Sequence, residues 1–96
     1  MYIGNIKNHL LYEKIQKAAL YKDDHIQVML LNLPQGQELK PHTSPKDAFC
    51  VVEQGEVEFV LEEQVYLLKK GDLFHFKAGQ VHSLKALSDF SMLIVK

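Results

Sequence analysis

The sequence predicts a small all-β protein, built as a β-barrel or β-sandwich. Apolar residues alternate mostly with period two rather than with the helical period of 3.6. Turn signals recur about every 8–12 residues, which is the spacing of barrels and sandwiches. With 96 residues, 11.0 kDa and 47% apolar residues, the chain is long enough for one domain, over 1–96, with a modest core.

The first 25 residues allow two interpretations. Asn8 could cap a short helix that carries Leu11, Ile15 and Ala18 on one face. Alternatively, residues 18–21 could form a strand that turns back through Lys-Asp-Asp-His. We expect residues 1–25 to form a strand-rich N-terminal arm with at most one helical turn.

Seven later runs are typical of strands, because they are rich in apolar and β-branched residues and bounded by turn residues. The first run is apolar on both faces and ends at Pro-Gln-Gly, and the second and third are joined by a Gln-Gly turn. The predicted strands are 26–33, 48–54, 57–61, 65–68, 73–76, 81–86 and 90–95.

Charge and residue usage exclude several classes of partner. The net charge is −1 and the pI about 6.5, so there is no basic field for nucleic acid or an anionic membrane. All 11 cationic side chains are Lys. The planar bidentate grip of Arg on a carboxylate or phosphate is therefore not available.

The same composition predicts a cytoplasmic protein. Cys50 is the single cysteine, which excludes an intrachain disulfide and fits a reducing compartment. No apolar run approaches ~18 residues, so we expect no membrane span. The first residues lack a charged segment followed by an apolar one, so we expect no secretory signal.

Two glycine-bounded pieces carry the chemistry. The first, over 36–55, has Gly36, five residues, His42, and then Gly55 at its end. The second, over 71–86, has Gly71, five residues, Lys77-Ala78-Gly79, two residues and His82. One histidine on each piece predicts two imidazoles close together inside the barrel.

These pieces resemble the two motifs of the cupin family, which are G-x5-H-x-H-x3,4-E-x6-G and G-x5-P-x-G-x2-H-x3-N. The resemblance implies a jelly-roll barrel, also called a double-stranded β-helix. At the positions of the first motif this chain has Gly36, His42, Ser44, Ala48 and Gly55. At those of the second it has Gly71, Lys77, Gly79, His82 and Ala86.

The resemblance also implies a metal site, which this chain carries only in part. Metal-binding cupins use three His and one Glu, and the chain retains the first and last His as His42 and His82. The middle His is replaced by Ser44 and the Glu by Ala48. Two imidazoles fall short of the three or more protein ligands that a stable site needs. We therefore expect weak or absent binding of a divalent metal (Zn, Ni, Fe, Mn or Cu).

Two residues could supply a third metal ligand. Cys50 shares a strand face with Ala48 and could offer a thiolate to a soft metal. Asp47 is one residue from the Glu position and would need a bulge to turn inward. His75 is a further candidate if its side chain faces the interior. The expected ligand pocket comprises His42, Ser44, Cys50, His75 and His82.

Three functions follow from these residues. The first is a barrel that binds a small molecule near His42 and His82, in the volume freed by the small side chains of Ser44 and Ala48. The second is a metal-dependent cupin enzyme, of isomerase, lyase or dioxygenase type, acting on a small polar metabolite. The third is a structural or interaction protein with a decayed site. Strands 26–33 and 90–95, apolar on both faces, also predict a homodimer.

Overall fold

A computed structural model describes all residues, 1–96, and confirms the all-β architecture. It contains nine strands and one short 3-10 helix, over Ile6–His9. The strands are β1 Gln16–Lys22, β2 Gln27–Leu33, β3 Glu38–His42, β4 Ala48–Gln54, β5 Glu56–Leu61, β6 Gln64–Lys69, β7 Leu73–Phe76, β8 His82–Ala86 and β9 Phe90–Val95. None of its helices has the length and apolar character needed to cross a membrane.

The strands form two antiparallel sheets in the predicted jelly-roll arrangement. One sheet has five strands in the order β1-β2-β9-β4-β7, and the other has four in the order β3-β8-β5-β6. Neighbours within a sheet are mostly distant along the chain, so the chain crosses repeatedly between the sheets. This crossing brings β3 beside β8 and thereby places the two motif pieces next to each other.

The core lies between the inward faces of the two sheets. Alternate residues along each strand point inward, as period two requires. Leu31, Val52 and Met92 from the larger sheet meet Phe59 and Leu84 from the smaller one in a single buried cluster. The cluster does not fill the whole interior, and the remaining space forms the cavity described below.

The N-terminal arm is strand-rich with one short helical turn, as predicted. Asn5 caps that turn, accepting a hydrogen bond from the Lys7 amide at 2.9 Å. The alternative helix with Asn8 as its cap is not formed. Residues 16–22 instead pair with β2 as an edge strand, with a bulge between Ala19 and Tyr21.

Polar contacts fasten the arm to the outer face of the larger sheet. Asn32 and Ser91 are fully buried there and bonded to each other at 2.6 Å. Asn32 also donates to the His9 carbonyl, and Tyr12 is hydrogen-bonded to Ser91. The expectation that β2 and β9 need a second subunit to cover them is thus corrected in part, because the chain's own arm buries this stretch.

Strand β3 is the one strand that the sequence patterns did not predict. Its residues, Glu-Leu-Lys-Pro-His, are mostly polar and include Pro41. β3 is an edge strand and its register with β8 shifts between Leu39 and His42. Proline is tolerated at such edges and bulges because its missing N–H breaks no ladder bond.

Candidate ligand-binding site

A partly enclosed cavity of about 160 Å³ lies between the two sheets. Its wall is mainly apolar, with Met29, Leu31 and Met92 from the larger sheet and Leu39 and Leu84 from the smaller one. The polar residues of the wall are two histidines, two lysines and two hydroxyl side chains: His42, His82, Lys17, Lys96, Thr43 and Ser44. A mainly apolar space with a few convergent polar groups is the usual form of a small-molecule site.

The two motif histidines meet in this cavity. His42 ends β3 and His82 begins β8, and the two are direct partners in the antiparallel register. Their ring centroids are 4.2 Å apart and the ring planes are tilted by 60°. His82 is buried against Phe59 and Phe76, whereas His42 is only half-buried.

Backbone hydrogen bonds fix the orientation of both rings in the same way. Nδ1 of His42 lies 2.7 Å from the Lys40 carbonyl, and Nδ1 of His82 lies 3.0 Å from the Gln80 carbonyl. Because a carbonyl oxygen only accepts, Nδ1 carries the proton in each ring, and Nε2 of the neutral ring is an acceptor. No buried side-chain nitrogen lacks a partner, so the unbonded Nε2 atoms are accessible to solvent, and both histidines line the cavity.

The pKa of His82 lies below its ordinary value of 6.5. Burial is the largest cause, because it disfavours the charged imidazolium. The hydrogen bond to Gln80 opposes this effect, while nearby positive charges on His42, Lys17 and Lys96 lower the pKa further. The buried imidazole is therefore a neutral hydrogen-bond acceptor at neutral pH.

The loop after β3 holds the second motif piece in place. The Gly79 amide donates to the Ser44 carbonyl at 2.9 Å. The Ala78 amide donates to the Asp47 carboxylate at 2.9 Å, and Lys77 forms an ion pair with the same carboxylate at 3.4 Å. These bonds tie together the two loops that precede β4 and β8, next to the histidine pair.

A family model described as the cupin domain matches residues 29–96. The chain belongs to the cupin family. The match covers both motif pieces and every strand from β3 to β9, and it confirms the resemblance seen in the sequence. A comparison with curated proteins finds no significant match.

Solved structures with the same fold come from several bacteria and an archaeon. A conserved Streptococcus pyogenes protein of unknown function has 25% identity and a TM-score of 0.86, over 98% of this chain and 84% of that one. The Thermus thermophilus protein TT1209 has 27% identity and a TM-score of 0.82, over 99% and 94%. An RmlC-like cupin with a double-stranded β-helix fold, from Methanocaldococcus jannaschii, has 20% identity and a TM-score of 0.78, over 88% and 80%.

Within this cupin, the two replaced ligand positions are both buried, but only Ser44 lines the cavity. Ser44 is buried and lines the cavity. Ala48 is also buried, at the start of β4, and joins the core cluster. A hydroxyl and a methyl group thus stand where the family motif has an imidazole and a carboxylate.

The donor atoms around His42 and His82 do not fit a stable metal centre. No group of three or more His, Cys, Asp and Glu side chains comes together anywhere in the chain. Two imidazoles alone fall short of the three protein ligands of ordinary zinc sites. Lys17 and Lys96, which also line the cavity, add positive charge that opposes a cation.

Asp47 is not placed as a third ligand. Its side chain is 63% exposed and is occupied by Lys77 and the Ala78 amide. These contacts, with the Ala78 hydrogen bond the largest, lower the pKa of the Asp47 carboxyl. No bulge turns Asp47 inward, so the prediction that it could complete a site is corrected: the carboxylate braces the loops instead.

Cys50 faces inward, as predicted from its shared face with Ala48, but it does not line the cavity. It is fully buried in the core cluster. Burial raises the pKa of its thiol to about 12, so it does not offer the thiolate that a metal requires. Its inclusion in the pocket is therefore corrected, and a cytoplasmic location, inferred partly from this free thiol, stays a prediction.

His75 is also absent from the cavity wall. In β7 the inward residues are Phe74 and Phe76, both of which contact the ring of Phe59. His75 alternates with them and is exposed on the outer face, opposite Phe49 of β4. The sequence did not decide which residues of β7 face the interior. The structure places His75 on the outer face, so its assignment to the pocket is corrected.

Lys17 and Lys96 are pocket residues that motif reasoning missed, because both lie outside the two motif pieces. Lys17 is on β1, paired with Leu31, and Lys96 follows β9. Period two offered one signal: Met92, Ile94 and Lys96 share a strand face. No comparable sequence pattern indicated Lys17, because its position depends on the pairing of β1 with β2.

Proposed function

We propose that this cupin binds a small organic molecule inside the barrel, against His42 and His82. The observation that carries the proposal is the mainly apolar cavity into which two imidazoles of fixed tautomer open. In its neutral form, either ring offers Nε2 as an acceptor for an O–H or N–H of the ligand. The apolar wall would supply most of the affinity and the histidines the orientation.

The size of the cavity limits the ligand. A volume of about 160 Å³ is close to the ~150 Å³ of an engineered apolar cavity that holds benzene. The ligand would therefore have roughly six to ten non-hydrogen atoms inside the barrel. Larger molecules would have to extend through the open side of the cavity, past Thr43 and Pro45.

A fragment screen tests the proposal. Compounds that raise the melting temperature of the purified protein would then be followed by NMR of the histidine rings. A ligand in the cavity must shift the ring signals of His42 and His82, and the variants His42→Ala and His82→Ala must weaken its binding. His75→Ala is the matched control on the outer face.

Two results would contradict the binding function. One is a diverse screen that yields no compound binding at the cavity. The other is binding that is equally strong in both cavity variants. Loss of turnover of a bound compound in His42→Ala, with binding retained, would instead favour the enzyme alternative.

We further propose that any divalent metal (Zn, Ni, Fe, Mn or Cu) is held only weakly, by His42 and His82. The support is the two-imidazole donor set and the two neighbouring lysines. Inductively coupled plasma mass spectrometry on protein purified without chelator measures the metal content. Near-stoichiometric metal that is lost in a His42→Ala, His82→Ala double variant would overturn weak binding.

A homodimer is part of the proposal. Phe49 and Leu73 are 46% and 65% exposed on the outer face of the β4–β7 side of the larger sheet. The arm covers the sheet at β2 and β9 but leaves these two side chains uncovered. Exposed apolar side chains grouped on one face often mark a protein interface.

Light scattering tests the dimer. We expect a mass of about 22 kDa, twice the 11.0 kDa of the chain. The variant Phe49→Glu, Leu73→Glu should be a monomer, whereas Leu87→Glu, on an exposed loop, should leave the dimer intact. A species of 11.0 kDa for the unaltered protein would remove the dimer.

A further inference from the structure

Two lysines reach the cavity from strands outside the motif pieces. Lys17 pairs with Leu31, an inward residue, so its side chain also starts on the inward face of the larger sheet. Lys96 lies two residues beyond Ile94 on the same face. Its backbone N–H and carbonyl both pair with Gln27, at 2.9 and 2.7 Å. Lys96 is thus held in register with the sheet beyond the end of β9.

No Asp or Glu side chain in the cavity wall balances the positive charge of these lysines. The chain as a whole has 12 acidic side chains and a net charge of −1, yet none of the 15 wall residues is Asp or Glu. The two ion pairs of the structure, Lys69–Asp72 and Lys77–Asp47, are elsewhere. The cavity is therefore locally positive in a protein that is slightly negative.

The field of the lysines extends to the imidazole pair. The charges on Lys17 and Lys96 both act on His82, where they help to lower its pKa. Lys17 is exposed and Lys96 half-buried, so both side chains lie at the solvent-accessible side of the cavity. An anion bound there would be attracted by both lysines at once.

We propose that the ligand is a small monocarboxylate with a compact apolar body, a class that deepens the proposed binding function and depends on it. The carboxylate lies at the open side, between the ammonium groups of Lys17 and Lys96. The apolar body lies in the cavity against Met29, Leu31 and Met92. A hydrogen-bond donor on the body would reach Nε2 of the histidines.

Other ligand charges fit the wall less well. A cation would be repelled by two unpaired ammonium groups. A highly charged anion such as a nucleotide would exceed the apolar volume, and the chain has no Arg to give it bidentate contacts. A single carboxylate matches two point-charge donors, because each ammonium group can give it a charge-assisted hydrogen bond.

Three probes of similar shape test the charge requirement: benzoate, benzyl alcohol and benzylamine. Binding is followed at fixed pH by the ring signals of His42 and His82. We expect benzoate to bind about tenfold or more tightly than benzyl alcohol, and benzylamine more weakly than both. Raising the salt concentration should weaken benzoate but not benzyl alcohol, because added ions screen the lysines.

Charge variants assign the effect to the two lysines. Lys17→Met, Lys96→Met should lose the preference for benzoate, whereas Lys17→Arg, Lys96→Arg should keep it. Lys22→Met, Lys70→Met, at two exposed positions outside the cavity wall, is the matched control for net charge. Melting temperatures confirm that each variant is folded.

The outcomes separate the ligand class from the binding function. If benzyl alcohol binds in the cavity as tightly as benzoate, the anion inference is overturned and the binding function stands. If the preference for benzoate survives in Lys17→Met, Lys96→Met, the placement of the carboxylate between these two lysines is overturned. If none of the probes shifts either ring, the anion inference is overturned, and the fragment screen decides the binding function by itself.

Discussion

His42 and His82 are cross-strand partners whose rings lie 4.2 Å apart, and each donates Nδ1–H to the carbonyl two residues before it. In both sequence pieces the same local hydrogen bond holds Nδ1, which leaves Nε2 as the free nitrogen of each ring. Such bonds are also used to orient metal-bound histidines. Here the same bonds orient a pair that lacks the other two motif ligands, so both rings are held in place although the donor set has changed.

The first prediction concerns the pH dependence of stability. Because burial lowers the pKa of His82 in the folded protein, the unfolded chain binds more protons once the pH falls below about 6.5. The free energy of unfolding contributed by this residue is therefore full above about pH 6.5 and is lost as the pH falls through the lower folded pKa. Urea unfolding between about pH 7 and 5 should show this loss, and His82→Gln should flatten the curve.

The cause of the shift can be separated by charge variants. Lys17→Met, Lys96→Met removes two of the positive charges that act on His82. The midpoint of the His82 ring titration, followed by NMR, should then rise toward the ordinary value. Lys70→Met should leave it in place. A midpoint at or above the ordinary 6.5 in the unaltered protein would contradict the lowered pKa.

The second prediction concerns Gly55, in the turn between β4 and β5. Its φ is +74°, and a Cβ at this position would overlap the carbonyl oxygen of Asp89. Gly71 also has a positive φ, of +93°, but its Cβ would meet no atom within 4 Å. Gly71→Ala should therefore cost about 1–2 kcal/mol, for the backbone conformation alone. Gly55→Ala should cost clearly more, because the overlap with backbone is added.

Denaturant unfolding of the two glycine variants measures the difference. Equal losses would mean that the Asp89 loop moves aside without cost. That outcome would also predict that nearby contacts, such as the hydrogen bond from the Glu56 amide to Ser88, contribute little to stability.

The third prediction concerns the hydrogen bonds that hold the N-terminal arm against the larger sheet. Asn32→Ala removes the donor to the His9 carbonyl and the acceptor for Ser91. Buried groups left without partners cost about 1–3 kcal/mol, so we expect a loss of this size. Residues 1–15 should also become sensitive to proteolysis and exchange amide hydrogens faster. Asn8→Ala, at an exposed position, should have neither effect, and an arm equally protected in both variants would show that apolar contacts hold it.

Short apolar runs bounded by turn residues were enough to predict most of the strands, and apolar residues alternate clearly in β5 and β8. These patterns missed β3, since a mostly polar edge strand with Pro41 carries neither. Within the site, the motif spacing predicted that His42, Ser44 and His82 lie together, and all three line the same cavity.

The rest of the site depends on pairings that local patterns do not contain. The facing of β7 could not be derived, because Leu73 and Phe74 are both apolar and only the register with β4 decides between them. Lys17 lines the cavity because β1 pairs with β2. The sequence of this segment allowed either a helix or a strand. Long-range pairing, not residue type, determines these placements.

The fourth prediction concerns Cys50. Burial raises the pKa of its thiol to about 12, and its side chain is 0% exposed. The native protein should therefore react with a thiol reagent at about pH 8 about a thousandfold or more slowly than an ordinary exposed thiol. Lys70→Cys in a Cys50→Ala background supplies that comparison in an exposed turn, and urea should release full reactivity of Cys50. Fast labelling of native Cys50 would mean that β4 opens readily, and the core beneath the cavity would then be mobile rather than a fixed floor for the ligand.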